Sequence, residues 1–243
     1  MKTIILSAGQ GTRLLPLTAK CPKCLLEVTD GVTLLGWQLT QLAKAGVGEV
    51  VVVTGYGAEK VDEEIKKYAD LINVRTLLNP DFDKMDNLGS AWQAREEMNE
   101  DFIILNGDTL FTAPVVERLC AAQPAAVRTT VTKKQSFDDD DMKVILEGDR
   151  LTAISKQLKG DAVNAESIGM ILFRNEGVDR FREAACEAMS GRRPGENLYY
   201  LSLIDTIARS HRVDINEAAQ DEWGEVDFPE DLAEARNKVQ SWS

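Results

Sequence analysis

Leu6-Ser7-Ala8-Gly9-Gln10-Gly11-Thr12-Arg13-Leu14-Leu15-Pro16-Leu17-Thr18, followed by Pro22-Lys23, is the stretch on which the reading of this chain turns. It comes directly after Lys2–Leu6, an apolar run that reads as a buried strand. Small residues placed there let main-chain N–H groups approach a ligand closely, and oriented amides form a nest for anions. Two common glycine patterns do not fit. G-x-G-x-x-G needs a third glycine where Leu14 stands, and G-x-x-x-x-G-K-[ST] is absent. What remains is a glycine loop with its own guanidinium, Arg13, and an ammonium, Lys23, a little further on. The guanidinium suits a polyphosphate tail and the ammonium a single phosphate.

Outward from the loop, β-branched runs alternate with helical patterns. Glu49–Val53, Ile72–Leu78, Phe102–Leu105 and Ala126–Val131 read as strands. A helix through Leu34–Leu42 stops at Gly46, and Ala58–Ala69, Leu88–Met98 and Pro114–Ala122 read as further helices. Continuous apolar strands, each followed by a helix, predict a parallel sheet covered on both faces. The second half differs. Met142–Leu146 and Leu151–Ile154 read as a hairpin, and Ser167–Phe173 as a strand. Helices follow at about 177–189 and 198–209, then the strand Arg212–Ile215 and a helix from Pro229 to Val239. The expected fold is a Rossmann-like three-layer α/β/α unit with a mostly parallel mixed sheet and a small hairpin or lid subregion. It is read as one domain over 1–243, with a nucleotide-binding half, 1–135, and an acceptor-binding half, 136–243.

The chain has 243 residues and a net charge of −12, which argues against extended nucleic acid as a partner. Its apolar content of 44% is that of a globular chain, not a disordered one. The run Thr3–Leu6 is too short for a signal peptide or a membrane span, so a soluble, cytoplasmic protein with no membrane partner is expected. With His211 as its single histidine, the chain has no multi-histidine metal site, and His211 reads as structural. Cys21-Pro22-Lys23-Cys24 is formally a C-x-x-C; it reads either as a redox or zinc motif or as two small side chains flanking a functional lysine.

The glycine loop resembles the pattern of nucleotidyltransferases that activate sugar 1-phosphates and related phosphomonoesters, L-[AS]-A-G-x-G-[ST]-R-[LM]-x-P-x-T and then P-K. Gly55-Tyr56, Asn106-Gly107-Asp108 and Ile154-Ser155-Lys156 resemble later turns of that family. Trp223-Gly224-Glu225-Val226-Asp227-Phe228-Pro229-Glu230-Asp231-Leu232 resembles its closing motif. The likeness spans about residues 1–240 and is nearest to short, transferase-only members.

The resemblance implies attack of a phosphomonoester oxygen on the α-phosphorus of a nucleoside triphosphate, with pyrophosphate leaving. A phosphomonoester is largely dianionic near neutral pH, its second pKa being about 6, so no general base is needed. The catalytic set implied is Arg13 on the β- and γ-phosphates, Lys23 on the α- or acceptor phosphate, Asp108, and Lys156 on the acceptor phosphate. Asp108 and Asp227 match the family's ligands for Mg²⁺, an ion that takes few protein carboxylates. Leu6, Ala8, Gly9, Gly11, Thr12, Arg13 and Gly55 are the implied nucleotide-binding residues. Alone, Asp108 also reads as an Asx turn, Asp227 as a helix cap and Lys156 as a solvated lysine.

Asn87 and Ser90, in Asp86-Asn87-Leu88-Gly89-Ser90-Ala91, are similar to the N-x-x-S of choline-phosphate and inositol-phosphate cytidylyltransferases. An amide and a hydroxyl can read cytosine's exocyclic amine and carbonyl; Asn87 equally suits a helix N-cap. The acidic run Asp138–Asp141 reads as a solvated loop or as part of the acceptor site. Asp141, Glu166 and Tyr200 complete the acceptor-side candidates, and Glu166 also reads as a strand-edge acid. The preferred expectation is transfer of CMP from CTP to a sugar 1-phosphate, inositol phosphate or phosphocholine-like acceptor, as for a cell-surface polysaccharide precursor. A uridylyltransferase making a UDP-sugar and a non-catalytic nucleotide-sugar sensor are the alternatives. A homo-oligomer stays open.

Overall fold

The computed structural model describes residues 1–121, 125–191 and 199–242. The first half runs β1 (Lys2–Ser7), β2 (Glu27–Thr29), β3 (Val32–Thr33), α1 (Leu34–Lys44), β4 (Glu49–Thr54), α2 (Ala58–Ile65), β5 (Asn73–Leu78), α3 (Asn87–Gln93), β6 (Phe102–Asn106), β7 (Thr109–Phe111), α4 (Ala113–Ala121) and β8 (Val127–Thr132). The second half adds β9 (Lys143–Glu147), β10 (Arg150–Ile154), β11 (Ala165–Phe173), α5 (Glu176–Gly191), α6 (Tyr200–Ser210), β12 (Val213–Glu217), β13 (Trp223–Glu225) and α7 (Pro229–Ser241). Of the expected helices, Pro114–Ala122 ends and 198–209 begins at a residue outside the described ones.

Among the described residues, nine strands form one sheet in the order β5-β4-β1-β6-β11-β8-β12-β10-β9. The strands β5, β4, β1 and β6 are parallel; β4, β1 and β6 carry the buried apolar runs expected of such strands, while β5 is the half-exposed edge. Leu6 stands level with Val53 and Asn106, so these strands end together and open a crevice at their C-terminal ends. Leu35, Leu39 and Leu42 of α1 pack on one face of the sheet with α2 and α4. Residues of α3, α5 and α6, including Phe181 and Tyr200, cover the other. These are the three layers of a Rossmann-like α/β fold.

Two expected helices are shorter than their apolar spacing suggested. The second ends at Ile65 and gives way to a 3₁₀ turn, Lys66–Tyr68. The third ends at Gln93, where the Ala94 N–H is shared between the carbonyls of Ser90 and Ala91 and the chain tightens into a 3₁₀ turn.

The hairpin β9–β10 forms as expected and is built into the sheet. Strand β9 bonds not only β10 but also β11, through Val144 opposite Ala165 and Lys143 opposite Glu166. The run β11-β8-β12-β10-β9 therefore closes on itself as a five-stranded ring. No helix among the described residues is long and apolar enough to cross a membrane.

Candidate active site

A cavity of about 460 Å³ opens at the C-terminal ends of β1 and β6, bounded on its other side by the ring. Two glycines make its floor possible. Gly11 has φ +71°, and a Cβ there would come within 2.9 Å of Lys23 Cβ, so the loop lies directly on the lysine. At Gly107 a Cβ would meet Ser7 Oγ at 2.3 Å and the Leu6 carbonyl at 2.6 Å, so the acidic turn can press against β1 only without a side chain. Gln38, fully buried on α1, donates to the carbonyls of Asn106 and Thr109 at 2.9 and 2.8 Å and clamps that turn from beneath.

Asp108, on the clamped turn, faces Asp227, whose main chain is held by the next helix. The Asp231 carboxylate accepts from the N–H groups of Asp227 and Phe228 at 2.8 and 2.7 Å. Lys23 bridges the pair, with Nζ 2.9 Å from Asp108 and 2.5 Å from Asp227. Burial pulls the Lys23 ammonium down, but the two carboxylates outweigh it and hold it above the ordinary lysine range. Glu225, two residues before Asp227, completes the group: one carboxylate oxygen from each of Asp108, Glu225 and Asp227 lies within 4.8 Å of the others. Burial, Asp108 and Asp227 push Glu225 well above the usual carboxylate range. Asp108 Oδ1 is buried and finds no hydrogen-bond partner among the described residues. Three converging carboxylates with an unused buried oxygen fit a divalent cation of the hard, oxygen-seeking kind.

Arg13 and Lys156 line the same cavity. Both face Asp140, of the acidic run. Arg13 Nη1 is 3.0 Å from Asp140 and 3.5 Å from Asp227, and its guanidinium lies over the Phe228 ring at 5.3 Å. Lys156 Nζ is 3.7 Å from Asp140 and 5.6 Å from the Tyr199 ring centre.

Glu166 lies at the start of β11, where the ring brings it beside Lys134. Lys134 Nζ sits 2.7 Å from Glu166 and 2.6 Å from Asp141. Burial pushes Glu166 up to about 7 in spite of Lys134. Asp141 is held below the ordinary aspartate range because Lys134 and the Asp138 N–H outweigh its burial. Asp141 lines an adjoining cavity, on the far side of Glu166, rather than the first one.

Another wall of the cavity carries Ala8, Asn87 and Ser90. The N-cap of α3 is Asp86, so Asn87 is the first helical residue, and its side-chain oxygen accepts from the Tyr200 N–H at 3.1 Å.

Most expected site residues converge on the cavity: Leu6, Ala8, Gly9, Gly11, Arg13, Lys23, Asn87, Ser90, Asp108, Lys156, Glu166 and Asp227. Three do not. Thr12 is exposed outside the lining, because the turn Thr12–Leu14 aims its neighbour Arg13 inward. Gly55 is buried behind the loop against Ala8 and Phe82. Tyr200 is fully buried, its hydroxyl donating to Asn106 Oδ1 at 2.9 Å; Tyr199 lines the cavity in its place. Sequence reasoning also missed Glu225 and Asp140. For Glu225 a signal existed: it is an acid two residues from Asp227 within the same closing motif.

A sheet ending in a glycine loop, with clustered cations and carboxylates at its C-terminal edge, defines a protein that handles nucleoside phosphates. The pattern of the family described as nucleotidyl transferase matches residues 2–143, and the chain belongs to that family. It is an enzyme of the nucleotidyltransferase type. Among its relatives, CMP-5'-(3-aminopropyl)phosphonate synthase of Streptomyces rubellomurinus is 28% identical, over 97% of this chain and 38% of that one. CTP:phosphoglutamine cytidylyltransferase of Campylobacter jejuni is 23% identical, over 96% of this chain and 98% of the other. The chain thus spans well under half of the first relative and nearly all of the second. The inositol-1-phosphate CTP transferase from T. maritima shares the fold with a TM-score of 0.78, at 19% identity over 98% and 96% of the two chains.

Proposed function

We propose that this enzyme is a Mg²⁺-dependent cytidylyltransferase that moves CMP from CTP to a small phosphomonoester or phosphonate and releases pyrophosphate. The observation that carries the reading is the convergence of Arg13, Lys23 and Lys156 with Asp108, Glu225 and Asp227 on one cavity. The choice of cytidine is supported by the printed activities of the two relatives.

In this reading Arg13 holds the β- and γ-phosphates, Lys23 the α-phosphate, and Lys156 the acceptor phosphate. Asp108 and Asp227, with Glu225, hold the metal. Bound there, Mg²⁺ would neutralise charge developing on the phosphate oxygens. The chain's own residues set two anions in line and shield their repulsion; the dianionic acceptor needs no base. Ala8, Asn87 and Ser90 face the base, while Glu166 and Tyr199 face the acceptor. The chain works as one domain, 1–135 serving the nucleotide and 136–243 the acceptor. Dependence on CTP fits a cytoplasmic location.

The test is pyrophosphate release with each of the four triphosphates against aminoalkyl phosphonate, phosphocholine, inositol 1-phosphate and glucose 1-phosphate, with Mg²⁺ and with chelator. CTP-dependent, chelator-sensitive release is the expected result. Turnover confined to UTP and glucose 1-phosphate would sink the cytidylyl reading.

A further inference from the structure

Two amide orientations in the base-side wall are settled by main-chain donors. The N–H of Asp81 donates to the Asn79 side-chain oxygen at 3.1 Å. Asn79 must then offer its Nδ2 to Ser90, and it does so, donating to Ser90 Oγ at 3.1 Å with both side chains buried. The Ser90 proton has no acceptor within hydrogen-bond range among the described residues. A serine hydroxyl that already accepts a bond keeps its proton for a ligand. Likewise the N–H of Tyr200 donates to Asn87 Oδ1 at 3.1 Å, which fixes the amide orientation and leaves its Nδ2 donor for a ligand. Both residues line the cavity. The wall therefore presents two donors side by side.

Cytosine carries neighbouring acceptors, O2 and N3, whereas uracil carries an acceptor, O2, beside a donor, N3–H. We propose that Asn79 is a positioning residue that sets base choice: by holding Ser90 as a donor beside the Asn87 amide, it makes the wall complementary to the O2–N3 edge of cytosine and opposed to that of uracil. The inference rests on the cytidylyl reading and alters it in one respect. Cytosine's exocyclic amine is itself a donor and cannot satisfy the unspent protons of Ser90 and Asn87. The amine is not what Asn87 and Ser90 recognise.

Binding measured by calorimetry, with the whole chain, Mg²⁺ and no acceptor, tests this. CTP binds more tightly than UTP or GTP. The analogue 3-deaza-CTP, with N3 replaced by C–H, binds about tenfold more weakly than CTP, the usual cost of leaving a buried donor unpaired. Zebularine triphosphate, which lacks only the exocyclic amine, stays within about threefold of CTP, since it keeps both acceptors. In Asn79→Asp the new carboxylate accepts from both the Asp81 N–H and the Ser90 hydroxyl, and the Ser90 lone pairs turn to the base. The CTP:UTP affinity ratio then falls by about tenfold. A wild-type chain that prefers CTP yet binds 3-deaza-CTP equally well overturns the inference alone, as does a folded Asn79→Asp with an unchanged ratio. Tighter binding of UTP or GTP than of CTP overturns the cytidylyl reading and the inference with it. Should Asn79→Asp fail to fold, the two analogues on the wild-type chain decide.

Discussion

Lys23 Nζ lies 2.5 Å from Asp227, joining the end of the glycine loop to the start of the last helix, and the same ammonium reaches Asp108 at 2.9 Å. A single cation offsets two acids that would otherwise face one another across the site. Removing it leaves Asp108 without a cation and Asp227 with only the partly exposed Arg13, 3.5 Å away. Lys23→Ala is therefore expected to lose about 3 kcal/mol of stability at neutral pH, the usual cost of breaking a buried pair from one side. Mg²⁺ should recover part of that loss without restoring turnover. Calorimetric melting with and without Mg²⁺ checks it; an unchanged melting temperature in metal-free buffer contradicts it.

Asp140 occupies two of the three cations assigned to phosphate groups, Arg13 and Lys156. A triphosphate has to displace it. These contacts are partly exposed, so each is worth at most about 1 kcal/mol. Asp140→Asn should lower KM for the triphosphate by up to about fivefold and leave kcat nearly as it was. Steady-state kinetics give the answer, and a raised KM would show that Asp140 instead helps to bind substrate.

Glu166 predicts a pH dependence of stability. In the folded chain its proton is held up to about 7, whereas an unfolded glutamate releases it near the ordinary value of 4.5. Between those values the folded state binds more protons, so this group's contribution is complete below the lower value and is lost as pH rises through the upper one. Glu166→Gln removes the titration. Its stability relative to wild type should climb by roughly 3 kcal/mol from pH 4 to pH 8. Denaturant unfolding at several pH values measures this; a difference independent of pH rules it out.

Adjacent tyrosines should separate cleanly. Tyr200→Phe leaves the partly buried Asn106 Oδ1 without its donor and should cost about 1 kcal/mol of stability with little change in acceptor KM. Tyr199→Ala should raise acceptor KM at near-native stability, because Tyr199 is partly exposed at the cavity wall. Paired melting and kinetic measurements distinguish the two, and the reverse pattern would restore Tyr200 to the acceptor site.

What could be read from the residues alone followed local pattern. The parallel strands, the hairpin and the glycine loop announce themselves through apolar runs, turn residues and spacing, and Arg13, Lys23, Asp108 and Asp227 come together as their motifs imply. The misplaced residues depend on distant geometry. Nothing near Tyr200 shows that Asn106 will take its hydroxyl, and nothing near Gly55 shows that Phe82 will cover it. The ends of α2 and α3 were lost for a related reason: a 3₁₀ turn keeps the apolar spacing of a helix while changing its hydrogen bonds. Asp140 could not be told from its three acidic neighbours, because which one meets Arg13 depends on how the run crosses the cavity.

The closed ring of β11, β8, β12, β10 and β9 bears on how such an enzyme diversifies. Every strand in it is laddered on both sides, so its shape is costly to alter. Segments 133–142 and 155–164 hang from its rim as loops, and loops tolerate insertion and exchange. Acceptor preference can thus drift over generations by rewriting two short surface segments, while the ladder and the Gln38 clamp beneath Asp108 are inherited intact.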